Sequence, residues 1–126
     1  MIILYSSRLI NALTLGSRSV NGLAICPFII IRSEIRGTVE ALFTINHERI
    51  HIRQQLELLL LPFTIFYILM YLWGLMRGMS RREAYRNILF EREAYRNMYN
   101  LEYLQERRIF SFLKERKTKQ QRWRNS

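Results

Sequence analysis

The chain has 126 residues and a mass of 15.3 kDa, so its length predicts one domain. Hydrophobic residues make up 49% and charged residues 24% of the chain, which is typical of folded globular proteins and not of disordered or collagen-like ones. The net charge is +10, and the single cysteine and the lack of aspartate exclude an intrachain disulfide, a multi-cysteine zinc site and a Ser-His-Asp triad.

The N-terminal third predicts a short β element and no export signal. Polar residues and arginines interrupt the apolar residues of 1–31, so we expect no secretory signal, and the cytoplasm or a membrane remains as the location. Residues 27–31 read Pro-Phe-Ile-Ile-Ile and predict a strand that runs to Ser33 or Arg36. Thr38 then predicts the N-cap of a helix.

The next predicted helix carries the motif that indicates chemistry. Residues 47–51 read His-Glu-Arg-Ile-His, the HExxH pattern, inside residues 38–61, which contain no proline or glycine. His47 and His51, the two histidines of the chain, would lie one turn apart on one helix face, a spacing that lets both imidazoles bind one zinc ion. Glu48 could then act as the general base that takes a proton from a zinc-bound water.

An uncharged segment follows at residues 58–76, LLLLPFTIFYILMYLWGLM, and it is long enough for a transmembrane helix. Charged residues flank it, and Tyr67, Tyr71 and Trp73 are residue types that favour a membrane interface. Pro62 interrupts the segment, so the alternative is a buried central helix or two short helices that meet at this proline. Hydropathy favours neither alternative.

A capping box, Ser-Arg-Arg-Glu at residues 80–83, predicts a second long helix that begins there and runs to about residue 108. The hexapeptide REAYRN occurs in it twice, at residues 82–87 and 92–97. Two copies ten residues apart do not make a helical repeat of one face or a solenoid. We interpret them as a local duplication of good helix formers.

A catalytic zinc ion needs a third protein ligand, and with no further histidine and no aspartate this ligand must be a glutamate. The candidates are Glu40, Glu91, Glu93 and Glu102. Glu40 would lie about 10 Å before His47 along the same helix, too far to share the ion. Glu91 lies at the centre of the apolar face of the second helix, where a carboxylate needs a partner such as a metal ion, and Glu93 lies opposite. The sequence favours Glu91 and leaves Glu93 as the alternative.

The metal site requires a bend in the uncharged segment. One straight helix from His51 would place residue 76 about 37 Å away, and the returning helix would leave Glu91 about 20 Å from the metal. We expect the bend near Pro62, because proline disrupts a helix interior. The zinc site and a single straight membrane span are therefore close to exclusive.

The C-terminal residues 109–126 predict a basic tail that follows a single domain at residues 1–108. Residues 105–126 hold eight basic side chains against two glutamates, so they carry +6 of the net charge of +10. We interpret the tail as solvated. Anionic lipid is an alternative partner, and we do not expect nucleic-acid binding.

The two motifs together resemble those of the gluzincin zinc metallopeptidases. In that family the third ligand stands in a helical pattern of Glu, two residues, a small residue and Asp, which Glu91 and Ala94 match. Tyr95 stands where the family has Asp, so the carboxylate that usually supports a ligand histidine is missing. The stretches HERIHIRQQLE and FEREAYRN, within residues 27–104, are also similar to a group of short bacterial proteins with an HExxH motif.

These observations predict a mainly α-helical domain that acts as a zinc-dependent, peptidase-like hydrolase. Zn²⁺ would be the cofactor, a peptide or protein the substrate, and a homo-oligomer one way for so small a chain to build a cleft. The metal ligands are His47, His51 and Glu91, and the catalytic residue is Glu48. The alternative is a non-enzymatic, membrane-associated basic protein that uses the hydrophobic segment at residues 58–76.

Overall fold

A computed structural model describes residues 1–17 and 19–117 of the chain. The described chain is mainly helical with a small three-stranded sheet near its N-terminus, which confirms the predicted fold class. The strands are Ile2–Tyr5 (β1), Gly22–Ile25 (β2) and Phe28–Ile31 (β3). The α-helices are Ser7–Leu13 (α1), Val39–Leu58 (α2), Leu60–Met76 (α3), Arg81–Arg86 (α4), Leu89–Asn97 (α5) and Tyr103–Glu106 (α6), and 3₁₀ helices cover Ser33–Ile35 and Ser111–Lys117.

The sheet is built around β3, the predicted strand. β3 pairs in parallel with β1 and antiparallel with β2, so Ile29 lies opposite Ile3 on one side and Ala24 on the other. β3 ends at Ile31, before a 3₁₀ helix begins at Ser33, so both predicted ends of the strand, Ser33 and Arg36, lie too far along the chain. β2 lies at an edge of the sheet, and its free side pairs with no strand in the described part of the chain.

Helix α2 lies between the sheet and α5. The hydroxyl of Thr38 accepts a hydrogen bond from the backbone N–H of Ala41 at 3.2 Å, which confirms the predicted N-cap. Ala41 and Ile52 pack against Ile29 and Ile31 of β3 in a buried hydrophobic cluster. The opposite side of α2 faces α5, so the helix is buried on two sides.

The predicted bend is present, but it lies before the proline. The axes of α2 and α3 differ by 112°, and Leu59 joins them with a backbone φ of 65°. Pro62 lies in the first turn of α3. Backbone N–H groups there have no partner within the helix, so the missing N–H of proline costs no hydrogen bond. Among the described residues no single helix is long and apolar enough to cross a membrane, and α2 with α3 passes that test only as a bent pair.

The predicted second long helix is instead three shorter helices, α4, α5 and α6. Its start is as predicted, because the hydroxyl of Ser80 accepts from the backbone N–H of Glu83 at 3.2 Å. The helix ends after residue 86, and Ile88 adopts an extended conformation with φ −61° and ψ 131°. Ile88 and Phe90 are both buried. The free energy gained by burying them outweighs the helix propensity that would keep the break between α4 and α5 helical.

A second hydrophobic cluster supports α5 and includes part of the predicted tail. It consists of Phe63, Ile88, Phe90 and Phe112. Phe112 belongs to the 3₁₀ helix Ser111–Lys117, so part of the chain beyond the predicted boundary at 108 packs against the helical core. The rest of the predicted tail, residues 118–126, lies outside the described residues.

Candidate metal centre

Three predicted ligands meet in the interior between α2 and α5. Nε2 of His47 lies 3.1 Å and Nε2 of His51 lies 3.0 Å from Oε1 of Glu91, and the two imidazole nitrogens are 3.2 Å apart. All three side chains are buried. Asn46 helps to hold the two helices together, because its amide donates to the backbone carbonyl of Met98 at 2.8 Å, just past the end of α5.

The triangle formed by these atoms has the size of one face of a metal coordination sphere. A tetrahedral ion with ligand bonds of 2.0–2.1 Å separates its ligand atoms by about 3.3–3.4 Å. The three observed separations are only slightly shorter, and each of the three atoms is of a type that binds metal ions. His47, His51 and Glu91 could therefore hold a metal ion.

Without a metal ion, the same three groups form a buried ion-pair network. Burial lowers the pKa of His51, but the adjacent Glu91 carboxylate, with smaller contributions from Glu48 and Gln54, raises this pKa to about 9. Burial favours the neutral form of Glu91, yet the interactions with His51 and His47 hold the pKa of the carboxyl well below its ordinary value. A negative carboxylate at this depth needs a positive partner, which either a histidinium or a metal ion supplies.

Gln54 determines the tautomer of neutral His51. The Gln54 amide nitrogen donates to the backbone carbonyl of Phe90 at 3.1 Å and to Oε1 of Glu93 at 2.8 Å, so both of its N–H groups have acceptors. The amide oxygen therefore faces Nδ1 of His51, 2.8 Å away, and that nitrogen must carry a proton. The neutral ring then keeps a lone pair on Nε2, which faces Glu91, as a metal ligand requires.

Glu93, the alternative third ligand, does not join the histidines. Its carboxylate accepts from Arg107 Nε at 2.6 Å, from the Tyr103 hydroxyl at 2.7 Å and from Gln54. Glu93 is fully buried, and the side chain of Arg107 is only 2% exposed. Glu93 therefore lies behind Gln54 and supports the amide that binds His51. Sequence reasoning missed Tyr103 and Arg107 because only the fold brings these two residues to Glu93.

Tyr67 on α3 is another residue at the site that sequence reasoning missed. Its hydroxyl donates to Oε2 of Glu91 at 2.7 Å, and burial followed by the Glu91 charge raises the pKa of Tyr67 well above its ordinary value. The signal in the sequence is helical spacing, because Tyr67 shares a side of α3 with Phe63 and Gly74, the two buried residues of that helix.

Tyr95 occupies the place beside a ligand histidine that the gluzincin resemblance implies for an aspartate. Its ring packs edge-on against the ring of His47 with centroids 4.4 Å apart, and its hydroxyl lies 3.0 Å from that of Tyr85. Nδ1 of His47 is buried and has no hydrogen-bond partner among the described residues. The aromatic contact therefore positions His47 by packing, whereas Gln54 positions His51 by a hydrogen bond.

The side chain of Glu48 lies against the first residue of the edge strand β2. Burial raises the pKa of its carboxyl, and the charges of His47 and His51 oppose part of that rise. A Cβ at Gly22, the first residue of β2, would lie 3.1 Å from Oε1 of Glu48 and 2.8 Å from Cγ2 of Thr44. The strand can approach α2 this closely only because residue 22 has no side chain.

Comparisons with known proteins add no family assignment. No protein-family model, no curated protein and no solved structure matches the chain. The relationship to gluzincins therefore stays a prediction from the two motifs.

Proposed function

We propose that the protein is a zinc-dependent hydrolase that cleaves peptide bonds, with His47, His51 and Glu91 as zinc ligands and Glu48 as the general base. The observation that carries the proposal is the buried triangle of two imidazole nitrogens and one carboxylate oxygen with sides of 3.0–3.2 Å. Zinc fits this donor set, because two histidines and one glutamate form a known catalytic zinc site.

A bound zinc ion would act as a Lewis acid that polarises the substrate carbonyl and lowers the pKa of water to about 7. The carboxylate of Glu48 would accept a proton from the attacking water and give it to the leaving amine nitrogen. Its environment supports this role, since burial raises the pKa of the carboxyl above its ordinary value. The buried hydroxyl of Tyr67 would keep Glu91 oriented by its hydrogen bond to Oε2.

The edge strand β2 supports a peptide as the substrate. An extended peptide can pair with the free side of an edge strand through backbone hydrogen bonds. β2 begins at Gly22, which lies against Glu48, so a peptide paired with β2 would pass close to the proposed base. Gln55 of α2 already bonds to the carbonyl of Ala24 and the N–H of Cys26, so a peptide would pair with the part of β2 next to Gly22.

Metal content tests the ligand assignment. After incubation with excess zinc and desalting, we expect about one zinc ion per chain in the wild type and in the control variant Glu83→Gln, whose side chain is exposed. Glu91→Gln should retain less than a tenth of this amount, because it loses the carboxylate charge at the triangle. Equal zinc retention by Glu91→Gln and the wild type would overturn the ligand set.

Cleavage of a fluorogenic peptide library tests the chemistry. The zinc-loaded wild type should cleave some members, while Glu48→Gln should retain zinc but lose at least about 100-fold in rate, because an amide cannot accept the proton. Full zinc retention with no cleavage by the wild type would overturn the hydrolase and leave the metal site intact. Undiminished cleavage by Glu48→Gln would overturn the role of Glu48.

A further inference from the structure

Helix α3 presents to solvent a broad apolar surface that nothing in the described chain covers. We define the α3 outer face by six residues that are each between 46% and 71% exposed: Leu61, Ile65, Ile68, Leu69, Leu72 and Trp73. At 100° per residue they span about 140° of the helix circumference. Monomeric soluble proteins rarely expose a continuous apolar patch of this kind without a partner for it.

The α3 outer face carries no competing polar group. Thr64 is the polar residue of α3 on this side, and its hydroxyl donates to the backbone carbonyl of Leu60 at 2.8 Å. The inner side of α3 has its own contacts, since Phe63 and Gly74 are buried and Tyr67 reaches Glu91. The two sides of the helix therefore face different environments, the protein interior on one and an apolar partner on the other.

Charge identifies the partner. Exposed Arg77, Arg81 and Arg82 follow the last turn of α3 closely, against the one exposed acidic residue Glu83 in the same stretch. The chain as a whole carries +10. An apolar helix face that is followed at its C-terminal end by arginines matches the surface of a bilayer with anionic lipids, where the phosphates attract the arginines and the acyl chains accept the apolar side chains.

The dimensions of α3 favour a helix that lies in the plane of the bilayer surface. Its 17 residues span about 25 Å, less than the hydrocarbon thickness of about 30 Å. The 112° bend at its N-terminal end and the bond from Tyr67 to Glu91 fix the helix against the rest of the domain. Trp73, 61% exposed near the C-terminal end, is a residue type that favours the headgroup region.

We infer that the α3 outer face docks in plane into the surface of an anionic lipid bilayer, with Arg77, Arg81 and Arg82 contacting lipid phosphates. This docking does not depend on the proposed hydrolase activity. Because Tyr67 lies on the inner side of the same helix, docking holds the metal centre about one helix diameter, roughly 10 Å, from the lipid.

Vesicle binding tests the docking with the full chain. In a Trp123→Phe background, Trp73 is the remaining tryptophan, so its fluorescence reports this face alone. We expect a blue shift and quenching by brominated lipid with vesicles of phosphatidylcholine and phosphatidylglycerol, and weaker binding to phosphatidylcholine alone or at high salt.

A pair of matched double variants separates the α3 outer face from exposed apolar residues elsewhere. Ile65→Gln with Leu69→Gln should weaken vesicle binding at least tenfold. Val39→Gln with Leu42→Gln on α2, at positions that are 65% and 53% exposed, should change it less than twofold. All four side chains are exposed, so neither pair should alter the far-ultraviolet circular dichroism.

A second pair of substitutions tests the arginines. Arg77→Gln with Arg81→Gln should weaken binding to phosphatidylglycerol vesicles several-fold and leave binding to phosphatidylcholine unchanged. No binding of the wild type to either vesicle would overturn the proposal. Equal losses in the α2 and α3 pairs would also overturn it, and so would a lipid-free dimer that Ile65→Gln with Leu69→Gln converts to monomers without any vesicle binding.

Discussion

The two copies of REAYRN, at residues 82–87 and 92–97, have the same sequence and opposite environments. Glu83 of the first copy is exposed in the first turn of α4, whereas Glu93 of the second copy is fully buried in α5. Local sequence therefore made both segments helical but did not determine what either does. Contacts with other segments of the chain make the second copy part of the metal centre.

The residues around each copy explain the difference. Ile88 and Phe90 precede the second copy and anchor α5 in the core, next to α2. Arg107 and Tyr103 then give Glu93 its partners. The first copy follows the exposed end of α3, where its buried residue is Ala84. The glutamate of the second copy is stable when buried because the guanidinium of Arg107 lies beside it.

The largest difference between the copies should appear when their glutamates are neutralised. Glu93→Gln removes the charge that faces Arg107, so we expect a loss of about 3 kcal/mol in the free energy of unfolding, because a buried cation loses one of its two carboxylates. Glu83→Gln, at the same position of the first copy, should lose about 0.5 kcal/mol or less. Urea denaturation of the metal-free proteins measures both values, and equal losses would contradict the comparison.

Much of the metal centre could be predicted because its spacing is local. His47 and His51 lie one turn apart on any α-helix, so the pair required only that residues 38–61 be helical. Glu91 could be inferred because the sequence has no aspartate and no third histidine, and because a glutamate on an apolar face needs a partner. The structure places Glu91 beside both imidazoles.

The remaining features depend on contacts between distant segments, which no local pattern records. The bend lies at Leu59, although leucine is a good helix former and Pro62 is the stronger signal. The second helix breaks before Ile88 because that side chain is buried, not because its residues disfavour a helix. Tyr67 holds Glu91 from a position that only the packing of α2, α3 and α5 determines.

A smaller difference in stability should distinguish the two buried alanines of the copies, Ala84 and Ala94, when Gly74 of α3 is replaced. A Gly→Ala substitution within a helix, such as Gly74→Ala, would normally stabilise it by about 1 kcal/mol. Here the new Cβ would lie 2.9 Å from Cβ and 3.1 Å from Cα of Ala84, so we expect a loss of about 2 kcal/mol in the free energy of unfolding instead.

Adding Ala84→Gly to Gly74→Ala should recover about half of that loss, because it removes the closer of the two contacts. Adding Ala94→Gly instead should cost about 1 kcal/mol more, because glycine lowers helix stability and no contact is relieved. Thermal unfolding of the two double variants gives the comparison. Rescue by both glycines, or a stabilised Gly74→Ala, would show that α4 does not pack on α3 as described.

The smallest effect concerns the hydrogen bond between the copies, which also meet where the guanidinium of Arg86 lies over the ring of Tyr95. The hydroxyls of Tyr85 and Tyr95 lie 3.0 Å apart, and each is the partner of the other among the described residues. Tyr85→Phe and Tyr95→Phe should each cost about 1 kcal/mol, and the double variant no more than one of them, because the second substitution removes a hydroxyl that has already lost its partner. Phenylalanine keeps the ring contact between residue 95 and His47, so zinc retention should not change. Additive losses of stability in this double-mutant cycle would mean that each hydroxyl bonds to another group. The two hydroxyls would then lie close together without any energetic coupling between them.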